Sequence, residues 1–137
     1  MAVEITGRYT GNLKMELRHG PSGTTLKTAA PVDNKGDGSS FSPTDLVAAA
    51  LGSCMVTTMA IVAEREGIDF STASFRIEKH MANDPRRVGA LPITIRMPPG
   101  LTPDQRTKLE RAAHTCPVGR SLRPELEGDV KFVYEGE

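Results

Sequence analysis

The stretch FSPTDLVAAALGSCMVTTMAIV, residues 41–62, holds one acidic residue and no basic one. It constrains the fold more than any other segment, because so apolar a run must be sheltered from water over most of its surface. Ser42 suits an N-cap, Pro43 the first helical position and Asp45 the first turn, where a negative charge meets the helix dipole favourably. Gly67 is a natural stop. The segment from 42 to about 67 therefore reads as a helix. Leu46, Ala50, Cys54 and Ile61 lie along one side of it, and Val47, Leu51, Met55 and Val62 along another. A helix apolar nearly all round belongs in a core. The run at 46–51 is broken by Gly52 and Ser53, too early for a membrane span, so no membrane partner is expected.

Three strand-like runs precede this helix. Residues 3–9, 12–19 and 24–30 alternate apolar and polar side chains, as half-buried antiparallel strands do. Thr10-Gly11 and the GPSG of 20–23 separate them as turns. Residues 31–40 carry almost nothing apolar and read as a mobile loop. After the helix come two further strands, 71–82 and 89–98. A second helix then opens at Thr102 with a capping box to Gln105 and Pro103 at its first position. Residues 116–126 read as a short third helix and 129–135 as a last strand. The order βββ-α-ββ-αα-β is an α+β arrangement in one domain, residues 1–137. Three strands cannot wrap the long helix, and a second subunit is a natural cover.

The charge balance narrows the partners. Lys and Arg number 17, as do Asp and Glu, which leaves no basic footprint for nucleic acid. The GPSG turn matches the GxxG of an RNA-binding loop, but it joins two strands in a neutral chain and is a turn. The N-terminus lacks the apolar core of a signal peptide, so a cytoplasmic location is expected. No CxxC or HxxxH-type spacing is present, so no metal is expected.

Cys54 and Cys116 are the chemically interesting residues. Cys54 reads as either a packed thiol or a nucleophile. An apolar site makes a thiol inert unless a cation lies nearby, and the helix dipole is three turns away, so reactivity needs an arginine from elsewhere in the fold. Cys116 precedes Pro117 and is placed to cap the third helix, where amide donors stabilise a thiolate. That makes Cys116 the more acidic thiol on local grounds, with capping and packing as the alternative. Asp45 is a first-turn charge that is also able to orient an arginine. Arg18 ends the second strand beside a turn, where solvation is the ordinary role.

SPTDLVAAALGSC followed by CPVGRSL resembles the OsmC/Ohr family of osmotically inducible and organic hydroperoxide resistance proteins. HGPSGTTL and DPRRVGALPITIRMP are closest in shape to its less characterised OsmC-related branch. The resemblance implies an intertwined homodimer, with antiparallel sheets wrapped around long central helices. It also implies a thiol peroxidase without metal or organic cofactor, acting on organic hydroperoxides and regenerated by an external dithiol. Cys54 would be the nucleophile and Cys116 the resolving thiol, with Arg18, or alternatively Arg8, activating the thiolate and Asp45 orienting the arginine. The peroxidase subgroups carry a glutamate directly after the SP, where this chain has Thr44, with Asp45 one position later. One helical position is a rotation of about 100°. The alternative is an OsmC-like protein that binds or senses a small apolar or thiol-reactive ligand.

Overall fold

The computed structural model describes residues 1–136. Two compact units make up the chain, Met1–Leu46 and Val47–Glu137. In the first, β1 (Ile5–Gly11), β2 (Lys14–His19) and β3 (Thr25–Ala29) form an antiparallel meander in that order. The β1–β2 turn falls at Asn12-Leu13, just beyond the expected Thr10-Gly11, because the strand bulges between Tyr9 and Gly11. Both turn residues have positive φ, 54° and 60°. That hand matches the twist of the flanking strands. The Tyr9 hydroxyl accepts the Leu13 N–H at 3.1 Å and helps hold a conformation uncommon for leucine. The second turn is the expected one, with Gly23 at φ 74°.

Residues 31–40 contain one turn of 3-10 helix at Val32–Asn34, and the Pro31 carbonyl accepts both the Asn34 and Gly36 N–H groups. Lys14 Nζ lies 2.9 Å from Asp37 Oδ2. Helix α1 (Pro43–Arg65) starts where the cap residues place it. Ser42 Oγ accepts the Asp45 N–H at 3.1 Å, and Asp45 Oδ2 accepts the Ser42 N–H at 2.8 Å. These reciprocal bonds are a capping box, which satisfies two amides the helix geometry leaves open.

In the second unit α1 supplies Leu51, Met55, Met59 and Ala63, a fully buried row four residues apart. They pack with Leu91, Ile93, Ile95 and Met97, which alternate toward the core as strand geometry requires, and with Leu109 and Ala113. The other apolar side of α1 is more open: Cys54 is half-buried and Ile61 is 56% exposed. By length and composition α1 is apolar enough to cross a membrane, over a stretch longer than the 46–51 run suggests. Here its Leu51–Ala63 row is core material.

The two later strand runs are each split. Residues 71–82 give β4 (Ser74–Ile77) and β5 (His80–Ala82), and residues 89–98 correspond to β6 (Arg87–Ala90) and β7 (Ile93–Arg96). Pro92, which lacks an N–H and restricts Leu91 before it, marks the second break, and its carbonyl accepts the Glu78 N–H at 3.0 Å beside the first. Among the described residues, β5 and β6 form a two-stranded sheet of their own. Helix α2 (Pro103–Ala113) carries the capping box anticipated at Thr102 and Gln105. The expected third helix is two, α3 (Pro117–Ser121) and α4 (Pro124–Glu127), because Pro124 holds Arg123 extended at ψ 139°. Strand β8 (Val130–Val133) joins the sheet β4-β7-β8 and runs parallel to β7. That pair departs from the purely antiparallel expectation: the chain returns from α4 to the same end of the sheet, with Ile93 N–H bonded to the Asp129 carbonyl.

Candidate active site

The two cysteines, with 61 residues between them in the chain, lie near each other in the second unit. Cys54 lies mid-helix in α1, and Cys116, 1% exposed, is the N-cap of α3. Pro117 places Cys116 in extended backbone at ψ 138°, and α3 then turns its first amides back on the side chain. The Gly119 N–H donates to Cys116 Sγ at 3.2 Å. The Cys54 thiol lies near enough to the same sulfur to raise its pKa. Both cysteines are free.

The balance of forces at Cys116 reverses the sequence expectation of an acidic thiol. Its pKa is raised above the ordinary value, first by burial, then by the Cys54 thiol and by the Glu127 carboxylate. The Gly119 N–H pulls the other way but does not win. A thiolate at Cys116 would lose its hydration and gain only one amide donor.

Arg18 and Asp45 belong to the first unit. The Arg18 guanidinium lies over the β2–β3 turn, where a Cβ added at Gly23 would sit 3.2 Å from Arg18 Nη2. Arg8 Nη2 is 3.3 Å from Glu16 Oε1, an exposed cross-strand ion pair. The Asp45 carboxylate closes the α1 capping box, and Thr44 Oγ1 lies 3.1 Å from Ser42 Oγ. The structure thus brings together two of the four residues singled out in the sequence, Cys54 and Cys116, within one unit.

Three residues near Cys116 were not anticipated. Gly119 is buried, and a Cβ there would lie 3.2 Å from Cys116 Sγ and 3.5 Å from Glu127 Oε2. Glu127 ends α4, and His114 caps the C-terminus of α2 with its Nδ1 3.6 Å from Glu127 Oε2. The His114 ring meets Phe132 edge-on, at 6.2 Å between centroids. The sole sequence signal was the glycine three residues after a capping cysteine. Among the described residues no three His, Cys, Asp or Glu side chains are grouped to hold a metal. A cleft of about 520 Å³ runs past Val47, Val88, Leu122 and Leu126, with Arg87 and Arg123 at its walls, and neither cysteine lines it.

Residues 36–131, which include α1 and both cysteines, match the family model of the OsmC-like protein. The chain belongs to the OsmC-like family. Among solved structures, this OsmC-like chain is similar to a Psychrobacter arcticus 273-4 protein named for osmotic stress induction and a detoxification response. The two are 37% identical with a TM-score of 0.87, over 96% of this chain and 94% of that one. An organic hydroperoxide resistance protein OsmC from Legionella pneumophila shares the fold at 21% identity and a TM-score of 0.70, over 98% and 96% of the two chains. An OsmC-like protein of unknown function from Vibrio cholerae O1 shares it at 13% and 0.76, over 98% and 99%. Comparison with curated proteins gave no match. The OsmC-like fold accounts for the α+β order read from the sequence.

Proposed function

We propose that this OsmC-like protein is a thiol-dependent peroxidase that reduces organic hydroperoxides. The observation that supports this reading most is the proximity of the two free thiols, with Cys54 near enough to Cys116 to raise its pKa. Two free thiols held near each other can form a disulfide with little rearrangement of the chain. The half-buried Cys54 is the one a substrate reaches, and the buried Cys116 waits behind it.

In the first step Cys54, as thiolate, attacks the distal oxygen of the hydroperoxide. The O–O bond breaks, the alcohol leaves with a proton, and Cys54 becomes a sulfenic acid. Cys116 then attacks the Cys54 sulfur, the S–O bond breaks, and water departs as the disulfide forms. An external dithiol restores both thiols. Arg18 would stabilise the thiolate and the developing alkoxide, with Asp45 orienting it. The working unit is a homodimer, whose second copy covers the open side of α1, and its location is the cytoplasm.

The test is consumption of tert-butyl or cumene hydroperoxide with a dithiol as reductant. Wild-type protein turns over and yields one intramolecular disulfide, whereas Cys54→Ser loses activity and Cys116→Ser becomes overoxidised after few turnovers. Undiminished turnover by Cys54→Ser sinks the proposal. A second reading, binding or sensing of a small apolar or thiol-reactive ligand, is favoured by one observation: the Asp45 carboxylate is engaged as a helix cap. It expects slow peroxide consumption together with a ligand that raises the melting temperature.

A further inference from the structure

The second half of the cycle poses a problem that the first does not. Cys116 must attack as a thiolate, yet its environment favours the thiol. Something has to take its proton at the moment of reaction. The residues around Gly119 are arranged for that.

Three observations converge there. First, Gly119 has bare space on its Cα that is bounded by Cys116 Sγ at 3.2 Å, Glu127 Cβ at 3.4 Å and Glu127 Oε2 at 3.5 Å. The thiol and the carboxylate therefore flank a common point with no side chain between them. Second, the negative charge of Glu127 is near enough to bear on the thiol, and it is one of the groups that raise the Cys116 pKa. Third, the carboxylate leads outward: Oε2 is 3.6 Å from His114 Nδ1, and the Glu127 and His114 side chains are 28% and 43% exposed. Thiol, carboxylate and imidazole form a row from the buried sulfur to solvent.

The other charged groups on elements packed against α4 do not take this role. Arg87 of β6 donates to the Asn83 and Pro85 carbonyls, and Arg120 of α3 is an exposed cation with no proton to accept. Cys54 of α1 is the reaction partner itself.

We propose that Glu127 is the proton acceptor for Cys116 during disulfide formation, with His114 passing that proton to solvent. This deepens the peroxidase reading and rests on its assignment of Cys116 as the resolving thiol. The Cys116 S–H proton moves to Glu127, directly or across one water molecule, the range over which a general base acts. The sulfur attacks Cys54–SOH, the S–S bond forms, and the S–O bond breaks. The departing hydroxide takes a proton returned by way of Glu127 and His114, and leaves as water. The Cys116 sulfur is oxidised and the sulfenic sulfur of Cys54 is reduced, so the step needs no external oxidant.

The experiment isolates this step from peroxide chemistry. Reduced protein is treated with one equivalent of 5,5′-dithiobis(2-nitrobenzoate), which forms a mixed disulfide at the accessible Cys54 and releases one thionitrobenzoate. Attack by Cys116 then releases a second, and its rate is followed from about pH 6 to 10. In Glu127→Gln we expect that second release to slow at least tenfold at pH 7, with the gap closing as alkali ionises the thiol unaided. Glu127→Asp should recover part of the rate, and His114→Gln should show a smaller loss. A purely electrostatic role makes the opposite prediction: removing the negative charge lowers the Cys116 pKa and speeds release. An unchanged or faster second release in folded Glu127→Gln therefore overturns the proposal. If Glu127→Gln does not fold, an unchanged release in His114→Gln overturns it. Failure of the peroxidase reading shows up separately, as wild-type protein that completes both releases but does not consume hydroperoxide.

Discussion

Gly52 stands two residues before Cys54, and its lack of a side chain lets a strand residue lie directly on the helix. A Cβ at this position would be 2.3 Å from Phe75 Cε2, 2.7 Å from Cδ2 and 2.8 Å from Cζ. Ordinary carbon contacts begin near about 3.5 Å. Gly52→Ala therefore forces the ring of β4 off its seat. Overpacking of this kind costs about 1–3 kcal/mol. Phe75 is 37% exposed and has room to swing outward, which holds the cost near the middle of that range. Alanine in place of glycine within a helix returns about 1 kcal/mol. The net expectation is a loss of about 1 kcal/mol in the wild-type background, and a gain of about 1 kcal/mol in Phe75→Ala, where the obstacle is gone. Urea unfolding of all four proteins at one fixed concentration measures the coupling, expected at about 2 kcal/mol. Equal stabilisation by Gly52→Ala in both backgrounds would refute the contact between Phe75 and α1.

Three further outcomes follow from particular contacts. Because burial holds the Cys116 pKa high, the unfolded chain releases that proton first and binds fewer protons than the fold. Stability relative to Cys116→Ala should then fall as pH rises past the unfolded thiol value of about 8.5, and level off once the folded thiol ionises. Asp37 has its pKa lowered to about 2, chiefly by its hydrogen bond with Lys14 and then by Ser39. Its contribution is present above the ordinary carboxylate range and lost as pH falls toward that value, and NMR titration of Lys14→Met should find Asp37 moved partway back toward 3.8. Thr102→Ala removes the oxygen that accepts the Gln105 N–H and should cost about 1 kcal/mol in thermal or urea unfolding.

The elements that were legible in the sequence are those governed by neighbours a few residues away. Ser42, Pro43 and Asp45 set the start of α1, and Thr102, Pro103 and Gln105 that of α2. Alternation located β1, β2 and β3 to within a few residues. The two-helix outcome at 117–127 was written in Pro124, and the strand breaks were partly written in Pro92, but the longer apolar periodicity masked both. Glu127 was not legible at all. It lies eleven positions beyond Cys116, in a segment whose composition is that of any solvated helix end.

The sequence alone therefore determined the caps, the long apolar helix and the cysteine pair whose spacing resembles the OsmC/Ohr family. Each depends on local hydrogen bonds, side-chain periodicity or a motif. Tertiary structure alone decided that β8 runs parallel to β7, that Phe75 rests on Gly52, and that Cys116 is the reluctant thiol beside Glu127 and His114. Local amides at the start of α3 argued for an acidic Cys116. Burial argued against it more strongly, and burial exists only once distant parts of the chain have closed around the sulfur.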